Sequence, residues 1–205
     1  MSRVALSWPP DGGDWLRGAR RVASPNFDRR PPGTAIDLLV VHYISLPPER
    51  FSGDAIERFF TNRLDPRGHP FFESIQGLRV SAHFLIRRRG ELLQFVGCDA
   101  RAWHAGPSEF RGRSRCNDFS IGVELEGSSN ARFTQAQYRR LARLATLLSL
   151  RYPLRWVAGH SDIAPGRKED PGPLFDWNGF MSSVRHTRLA RPFAATDRVN
   201  TRSER

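Results

Sequence analysis

The sequence predicts an α/β fold of the α+β type, a mixed β-sheet flanked by helices. Two observations carry this prediction. Short apolar runs of strand length recur along the chain, at residues 36–43, 81–88, 91–96, 119–127 and 155–160. Helical patterns are interleaved with these runs, a short one near residue 54 and a long one at 135–151. Strands and helices that alternate in this way favour one sheet covered by helices.

The first third of the chain divides at residue 36. Residues 1–35 are rich in Pro, Gly, Asp and Arg, so we expect an extended segment packed on the domain. Residues 36–43 (IDLLVVHY) form a continuous apolar run with β-branched members, which predicts a buried strand with His42 at its carboxyl end. Asp54 and Glu57 resemble a capping box, so a short helix should begin there, followed by a long loop over 62–79.

The middle of the chain predicts a hairpin and a further strand. Residues 81–88 and 91–96 flank Arg89 and Gly90, which suit a tight turn between two strands. The strand predicted at 119–127 alternates, with Ile121, Val123 and Leu125 on one face and Gly122, Glu124 and Glu126 on the other.

The last elements are a helix and a short strand. Thr134 and Gln137 resemble a second capping box, and apolar residues follow at steps of three or four, so residues 135–151 should form the main amphipathic helix. The run at 155–160 (RWVAGH) predicts a strand that delivers His160. We expect one main folded domain at 36–185 and a basic, flexible tail at 186–205.

Composition limits the classes of function. The chain has 205 residues and a net charge of +11, but after Ser182 it carries six arginines against one aspartate and one glutamate. A nucleic-acid binder is therefore an alternative that the charge suggests and no groove-reading motif supports. Only two cysteines occur, Cys98 and Cys116, and no signal-peptide pattern or membrane span is visible, so we expect a cytoplasmic protein without a membrane or obligate protein partner.

Residues that can bind a metal or carry a proton lie at the ends of two predicted strands. His42 ends one, and His160 opens the loop GHSDIAPGRKEDPGP at 159–173. Two imidazoles and one carboxylate suit a catalytic zinc site with an open position, and His42, His160 and Asp170 can supply that set. Asp162 could also reach a metal, although a role in holding the loop is the simpler interpretation.

A zinc site of this kind benefits from a nearby carboxylate that carries protons. Glu124 and Glu126 fall on the same face of their strand, so the pattern alone leaves the choice between them open. Lys168, the only lysine of the chain, is two residues from Asp170 and could stabilise a developing oxyanion.

These motifs resemble the cytoplasmic anhydro-N-acetylmuramyl-L-alanine amidases of cell-wall recycling, whose fold is shared with peptidoglycan recognition proteins and phage T7 lysozyme. The similar segments run in order along nearly the whole chain: GARRVASPNFD (18–28), VVHYISLPP (40–48), FF (59–60), HPFF (69–72), LRVSAHFLIRR (78–88), RAWHAG (101–106), RCNDFSIGVELEG (115–127) and GHSDIAPGRKEDPGPLFDW (159–177).

The resemblance implies a zinc-dependent amidase that acts on a small muropeptide. It assigns His42, His160 and Asp170 as zinc ligands, Glu124 rather than Glu126 as the catalytic carboxylate and Lys168 as the cation that stabilises the tetrahedral intermediate. It places Arg79, Trp103 and Arg115 along the substrate groove, with Tyr43 where the family has asparagine. His69, His83 and His104 are expected to be structural or groove residues.

Two alternatives within this family resemblance stay open. A peptidoglycan-binding module without catalysis is the first, although the complete set of ligands plus Glu124 and Lys168 argues against it. A secreted or wall-acting amidase is the second, and the absence of a secretion signal favours small anhydro-muropeptides over polymeric wall.

Overall fold

The computed structural model describes residues 5–193, and the predicted flexible tail lies outside the described residues from 194 onward. Its main sheet has six strands: β1 (Arg20–Arg21), β3 (Leu38–Ile44), β4 (Phe84–Ile86), β5 (Leu92–Gln94), β9 (Ser120–Glu126) and β10 (Trp156–Gly159). Their order in the sheet is β1-β5-β4-β9-β3-β10. Two small ribbons pair β2 (Phe27–Arg29) with β6 (Ala100–Ala102) and β7 (Glu109–Phe110) with β8 (Arg113–Ser114).

The helices are α1 (Ala55–Phe60), α2 (Pro70–Ser74), α3 (Gln135–Arg151), α4 (His160–Ile163) and α5 (Trp177–Ser183), with 3-10 turns at Pro66–Gly68 and Cys116–Asp118. Among residues 5–193, every helix is too short or too polar to cross a bilayer. The sheet is mixed, because β3 runs parallel to both β9 and β10 while β4 and β5 are antiparallel. The predicted fold class, a mixed sheet flanked by helices, is confirmed.

The two faces of the sheet pack against different elements, and the polar residues of β3 and β9 lie on only one of them. Alternate residues of β3 and β9, among them Leu39, Val41 and Val123, pack in one cluster with the apolar face of α3. The opposite face carries Leu38 and Val40 in a second cluster and leads to the ends of β3 and β9, where polar residues take over. A third cluster places α1 and α2 over β4 and β5 on this same side.

Local signals explain the main helix well and the short ones less well. The Thr134 hydroxyl accepts from the Gln137 N–H at 3.2 Å, and the Gln137 side chain accepts in return from the Thr134 N–H at 3.0 Å, so the predicted capping box is confirmed. The capping box predicted at Asp54 is wrong, because its side chain makes no cap hydrogen bond and instead pairs with Arg58 at 2.8 Å.

The predicted loop over 62–79 is also partly wrong, because it contains a 3-10 turn and α2. Both begin with a proline, at Pro66 and Pro70, and each is preceded by a side chain that accepts a backbone N–H. Proline at the first helical position and a capping side chain before it are the expected start signals. They were present in the sequence at Asp65 and His69.

The segment before residue 36 contributes to the sheet and core. Arg20 and Arg21 pair with β5 as a parallel edge strand, and Leu6 and Leu16 are buried in the cluster under α3. The limits of the three predicted regions, 1–35, 36–185 and 186–205, stay predictions.

Candidate metal centre and active site

Three side chains converge at the carboxyl end of β3. His42 Nδ1 lies 3.0 Å from His160 Nδ1 and 2.9 Å from Asp170 Oδ2, and His160 Nδ1 lies 3.1 Å from that same oxygen. All three residues are buried. Together they form a group whose ligand atoms could hold a metal ion.

Strand register brings the two histidines together. The last residue of β10, Gly159, is paired with Val41 of β3, so His160 follows Gly159 as His42 follows Val41. The chain then turns into α4, and the Ser161 N–H donates to the Asp170 carbonyl at 2.8 Å. This contact folds the loop back and carries the Asp170 carboxylate to the two imidazoles.

The charge state of the group suits a cation. Burial, helped by His160, lowers the pKa of His42 to about 4, so its ring is neutral at pH ~7. Burial alone would raise the pKa of Asp170, but its hydrogen bonds with His160 and His42 outweigh burial and hold that pKa below its usual range. Imidazole nitrogens and a carboxylate oxygen are donors that zinc accepts.

The spacing fits the same ion. Tetrahedral zinc ligands at ~2.0–2.1 Å from the metal lie roughly 3.3 Å from one another. The three donor atoms are separated by 2.9, 3.0 and 3.1 Å, close to that value. The residues present therefore fit a four-coordinate metal with one open position.

The outward nitrogen of each imidazole also has a partner. His160 Nε2 lies 3.0 Å from the Ala105 carbonyl, and His42 Nε2 lies 2.9 Å from His104 Nδ1. The contact between His42 and His104 was not predicted from the sequence, where His104 was expected only to be structural or to line the groove. Spacing gives no signal for it, since the two residues are far apart in the chain.

Glu124 and Glu126 differ sharply in their surroundings. Glu124 is paired in register with His42, and its buried Oε2 has no hydrogen-bond partner. Burial, with a smaller contribution from the Asp170 charge, raises the pKa of Glu124 well above its usual value. Glu126 instead binds Arg87 at 2.9 Å and the Arg88 N–H at 3.1 Å. Of the two carboxylates, only Glu124 has an oxygen free to handle a proton beside the metal group.

A groove of about 540 Å³ opens over these residues. Among the predicted substrate-binding and catalytic side chains, Tyr43, Trp103, Glu124 and Lys168 line it, as do His42, His160 and Asp170. Burial and a hydrogen bond to Glu169 raise the pKa of Tyr43 to about 12. Lining residues that the sequence analysis did not single out include Glu49, Ile75, Leu78, Ser128 and Ser129.

Two predicted substrate contacts lie elsewhere. Arg79 lines a neighbouring cavity of about 280 Å³ that shares Phe59, Ile75 and Leu78 with the groove. Arg115 is exposed, adopts a left-handed backbone with φ of 61° and pairs with Asp118 at 3.3 Å. It is not one of the described residues that line the groove, and its substrate contact stays a prediction.

The remaining polar candidates have structural contacts. Asp162 accepts from the Gly159 N–H at 2.8 Å and pairs with Arg191 at 3.0 Å, so it holds the loop that carries His160. His83 accepts from the Gly122 N–H at 3.0 Å, and burial together with Arg30 lowers its pKa to about 3.

Comparison with known proteins agrees with this geometry. Residues 32–173 match the family model described as N-acetylmuramoyl-L-alanine amidase. The chain is 56% identical over 172 residues to the 1,6-anhydro-N-acetylmuramyl-L-alanine amidase AmpD of Escherichia coli (strain K12), which covers 83% of this chain and 94% of that protein.

Solved structures show the same relationship. A crystal structure of a selenomethionine AmpD derivative matches with a TM-score of 0.81 and 53% identity, covering 84% of this chain and 97% of that chain. The Escherichia coli amidase AmiD, solved with anhydro-N-acetylmuramic acid-L-Ala-D-gamma-Glu-L-Lys, matches with a TM-score of 0.53 and 28% identity, covering 87% of this chain and 65% of that chain. The chain therefore belongs to the N-acetylmuramoyl-L-alanine amidase family.

Proposed function

We propose that this chain hydrolyses the amide bond between the lactyl group of 1,6-anhydro-N-acetylmuramic acid and L-alanine in muropeptides, with Zn²⁺ as its metal. The observation that carries the proposal is the position of Glu124. Its partnerless, buried oxygen belongs to the residue paired in register with His42, next to three converging metal-ligand atoms. A site that only bound its ligand would not need a buried carboxylate left free in this way.

His42, His160 and Asp170 would hold the zinc. When bound there, zinc acts as a Lewis acid that polarises a carbonyl oxygen and lowers the pKa of water. Both histidines offer Nδ1 and Asp170 offers Oδ2, because these are the atoms that face one another. All three residues line the groove, so a metal held there would be accessible to a substrate.

Glu124 is the proton carrier in this proposal. Burial raises the pKa of its carboxyl well above the usual value, so the carboxylate is a stronger base than that of an ordinary glutamate, which suits a group that must first accept a proton and then donate it. Oε2 would take a proton from the water that attacks the lactyl carbonyl and return it to the departing alanine nitrogen. The amide then separates into a lactyl carboxylate and a free peptide amine.

Lys168 would stabilise the negative charge that develops on the carbonyl oxygen. It lines the same groove as Glu124 and lies in the loop that carries Asp170, so folding of that loop brings the ammonium and the ligand into place together. A fixed cation in a partly enclosed groove acts where the charge appears and needs no reorganisation.

The groove supports a small muropeptide as the substrate. The AmiD structure, which shares this fold, was solved with an anhydro-muramyl tripeptide, and the most similar proteins described above carry the anhydro-muramyl amidase name. In the groove of this chain the Trp103 indole can pack against a sugar or peptide stem, and Tyr43 with Glu169 forms a polar wall. We propose that Arg79 and Arg115 contact substrate carboxylates and that the reaction takes place in the cytoplasm.

The test is release of free peptide from anhydro-N-acetylmuramyl tripeptide by purified protein, followed by mass spectrometry with and without a chelator. Release that stops with the chelator and returns with Zn²⁺ but not with Mg²⁺ is expected. Polymeric peptidoglycan, assayed in parallel, should be a poorer substrate. Binding of the tripeptide without release under any metal condition would overturn catalysis in favour of a recognition module, and faster release from the polymer would overturn the recycling substrate.

A further inference from the structure

The outward contacts of the two metal-group histidines meet at one dipeptide, His104–Ala105. His42 Nε2 reaches His104 Nδ1 at 2.9 Å, and His160 Nε2 reaches the Ala105 carbonyl at 3.0 Å. The dipeptide is itself anchored, because the Asn117 side-chain oxygen accepts from the N–H of His104 at 3.2 Å and of Ala105 at 2.8 Å. One short segment between β6 and β7 therefore contacts both imidazoles.

A chain of hydrogen bonds fixes where the protons lie. The Ser120 hydroxyl lies 2.6 Å from the Cys116 carbonyl, which can only accept, so Ser120 donates its single proton there. His104 Nε2, at 3.2 Å from the same hydroxyl oxygen, must then be the donor of that contact. The ring nitrogens of His104 contact an imidazole and a serine hydroxyl rather than a carboxylate, so neither contact stabilises an imidazolium.

The same logic continues to the metal group. A neutral His104 with its proton on Nε2 has a bare Nδ1, which accepts from His42 Nε2. When His42 binds a metal through Nδ1, that nitrogen carries no proton, so the ring proton lies on Nε2 and can be donated to His104. The Nε2 proton of His160 is fixed by a different partner, because the Ala105 carbonyl can only accept and so requires a proton on His160 Nε2.

The backbone leaves room for this arrangement at one glycine. A Cβ added to Gly122 of β9 would lie 2.5 Å from His104 Cγ, closer than real side chains approach. The His104 ring thus lies directly on the strand, in edge contact with the His83 ring at 5.8 Å between centroids. Strand β9 therefore contacts one side of the His104 ring, and hydrogen bonds hold both of its nitrogens.

We propose that His104 and Ala105 are positioning residues that form one outer support for both histidine ligands, and that Ser120 sets the direction of the hydrogen bonds. The support orients both rings and holds a proton on each Nε2, which makes Nδ1 the nitrogen of each ring that can bind a metal. Outer partners of this kind commonly change metal affinity about 10–100-fold. The inference rests on the proposed metal-dependent function, and extends it to residues that contact the two histidine ligands.

The first test reads the proton positions without any metal. Long-range ¹H–¹⁵N NMR of the metal-free protein should show His104 protonated on Nε2 and bare on Nδ1. A proton on His104 Nδ1 would overturn the proposed direction, whatever the protein does with zinc.

The second test measures zinc affinity by competition with a chromogenic chelator. His104→Ala should bind zinc about 10–100-fold more weakly than the parent protein. His104→Asn should keep an affinity near the parent value, because its side-chain oxygen can lie close to the position of His104 Nδ1 and accept a hydrogen bond from His42. His186→Ala is the matched control, since His186 is exposed and contacts only Thr146 at 3.0 Å among the hydrogen bonds of the described residues.

Each outcome decides a separate point. Parent-like affinity in His104→Ala, or equal losses in the Ala and Asn variants, would overturn the positioning role. If His104→Ala does not fold, Ser120→Ala replaces it, because it removes the acceptor that fixes the His104 tautomer, and parent-like affinity there would also overturn the role. A parent protein that binds no zinc would contradict the proposed function instead, while the NMR result would still decide the hydrogen-bond direction.

Discussion

Replacing Glu124 by glutamine is the sharpest perturbation that the site offers. The change keeps the shape of the side chain and removes only its ability to carry a proton. Glu124 Oε2 is buried without a partner, and burial raises the pKa of the carboxyl well above its usual value. The charged form is therefore unfavourable in the folded protein, and glutamine should leave the free energy of unfolding equal or higher.

The Glu124→Gln substitution should lower the turnover rate instead of the stability. A positioned general acid–base contributes about 10²–10⁴-fold to rate, or about 3–5 kcal/mol of transition-state stabilisation. Glu124→Gln should thus lose about 10²–10⁴ in kcat with a full complement of zinc, because all three metal-ligand atoms come from other residues. The assay is peptide release from the anhydro-muramyl tripeptide, with metal content measured on the same sample.

Glu126→Gln is the matched control on the same strand and the same face. It removes the charge that faces Arg87 at 2.9 Å and so should cost about 1–3 kcal/mol of stability, while turnover per folded molecule stays near the parent value. The reasoning is refuted if Glu124→Gln keeps more than a tenth of the parent kcat, or if the two variants lose turnover equally.

Three further predictions follow from the same geometry. Asp170→Ala should lose zinc on gel filtration and lose activity with it, because one of three ligand atoms is removed; stoichiometric zinc in this variant would contradict the assignment. Lys168→Ala should lower kcat about 10²–10³-fold with zinc content unchanged, and an unchanged kcat would remove the lysine from the mechanism. Burial and Arg30 hold the pKa of His83 at about 3, so the folded protein excludes a proton that the unfolded chain takes up below pH ~6.5. In the metal-free protein, His83 should therefore make the free energy of unfolding about 2 kcal/mol lower at pH ~5 than above pH ~6.5. Denaturant melts that give equal free energies of unfolding at pH ~7 and ~5 would contradict this prediction.

The sequence was most informative where hydrophobic periodicity and capping acted together. The helix at Gln135–Arg151 has the limits that its apolar spacing and Thr134 predicted. Strands were found in the right places but shorter than predicted, as at Phe84–Ile86, because burial extends beyond the residues that pair with a neighbour. The sequence does not predict the short elements between Asp65 and Ser74, because two proline start signals without a long apolar repeat are also typical of a loop.

For the site, the strand ends and the 159–173 loop pointed to the metal group, but the pattern could not choose between Glu124 and Glu126. The two share a face, and what separates them is an ion pair with Arg87 and a hydrogen bond from Arg88, both from outside their strand. The contacts of His104 and Ala105 were beyond prediction for the same reason. They depend on distances between segments that only the folded chain brings together.

The pairing of β3 with β9 has a consequence for how activity is acquired. His42 stands opposite Glu124 in this ladder, and successive residues of a strand point to opposite faces. A slip of one residue between these two strands would turn the Glu124 carboxylate toward the face covered by α3 and place an apolar residue beside the metal ligands. Misregistered molecules could retain much of their secondary structure yet be chemically inert, so specific activity per folded molecule is itself a measure of how faithfully this parallel pair assembles.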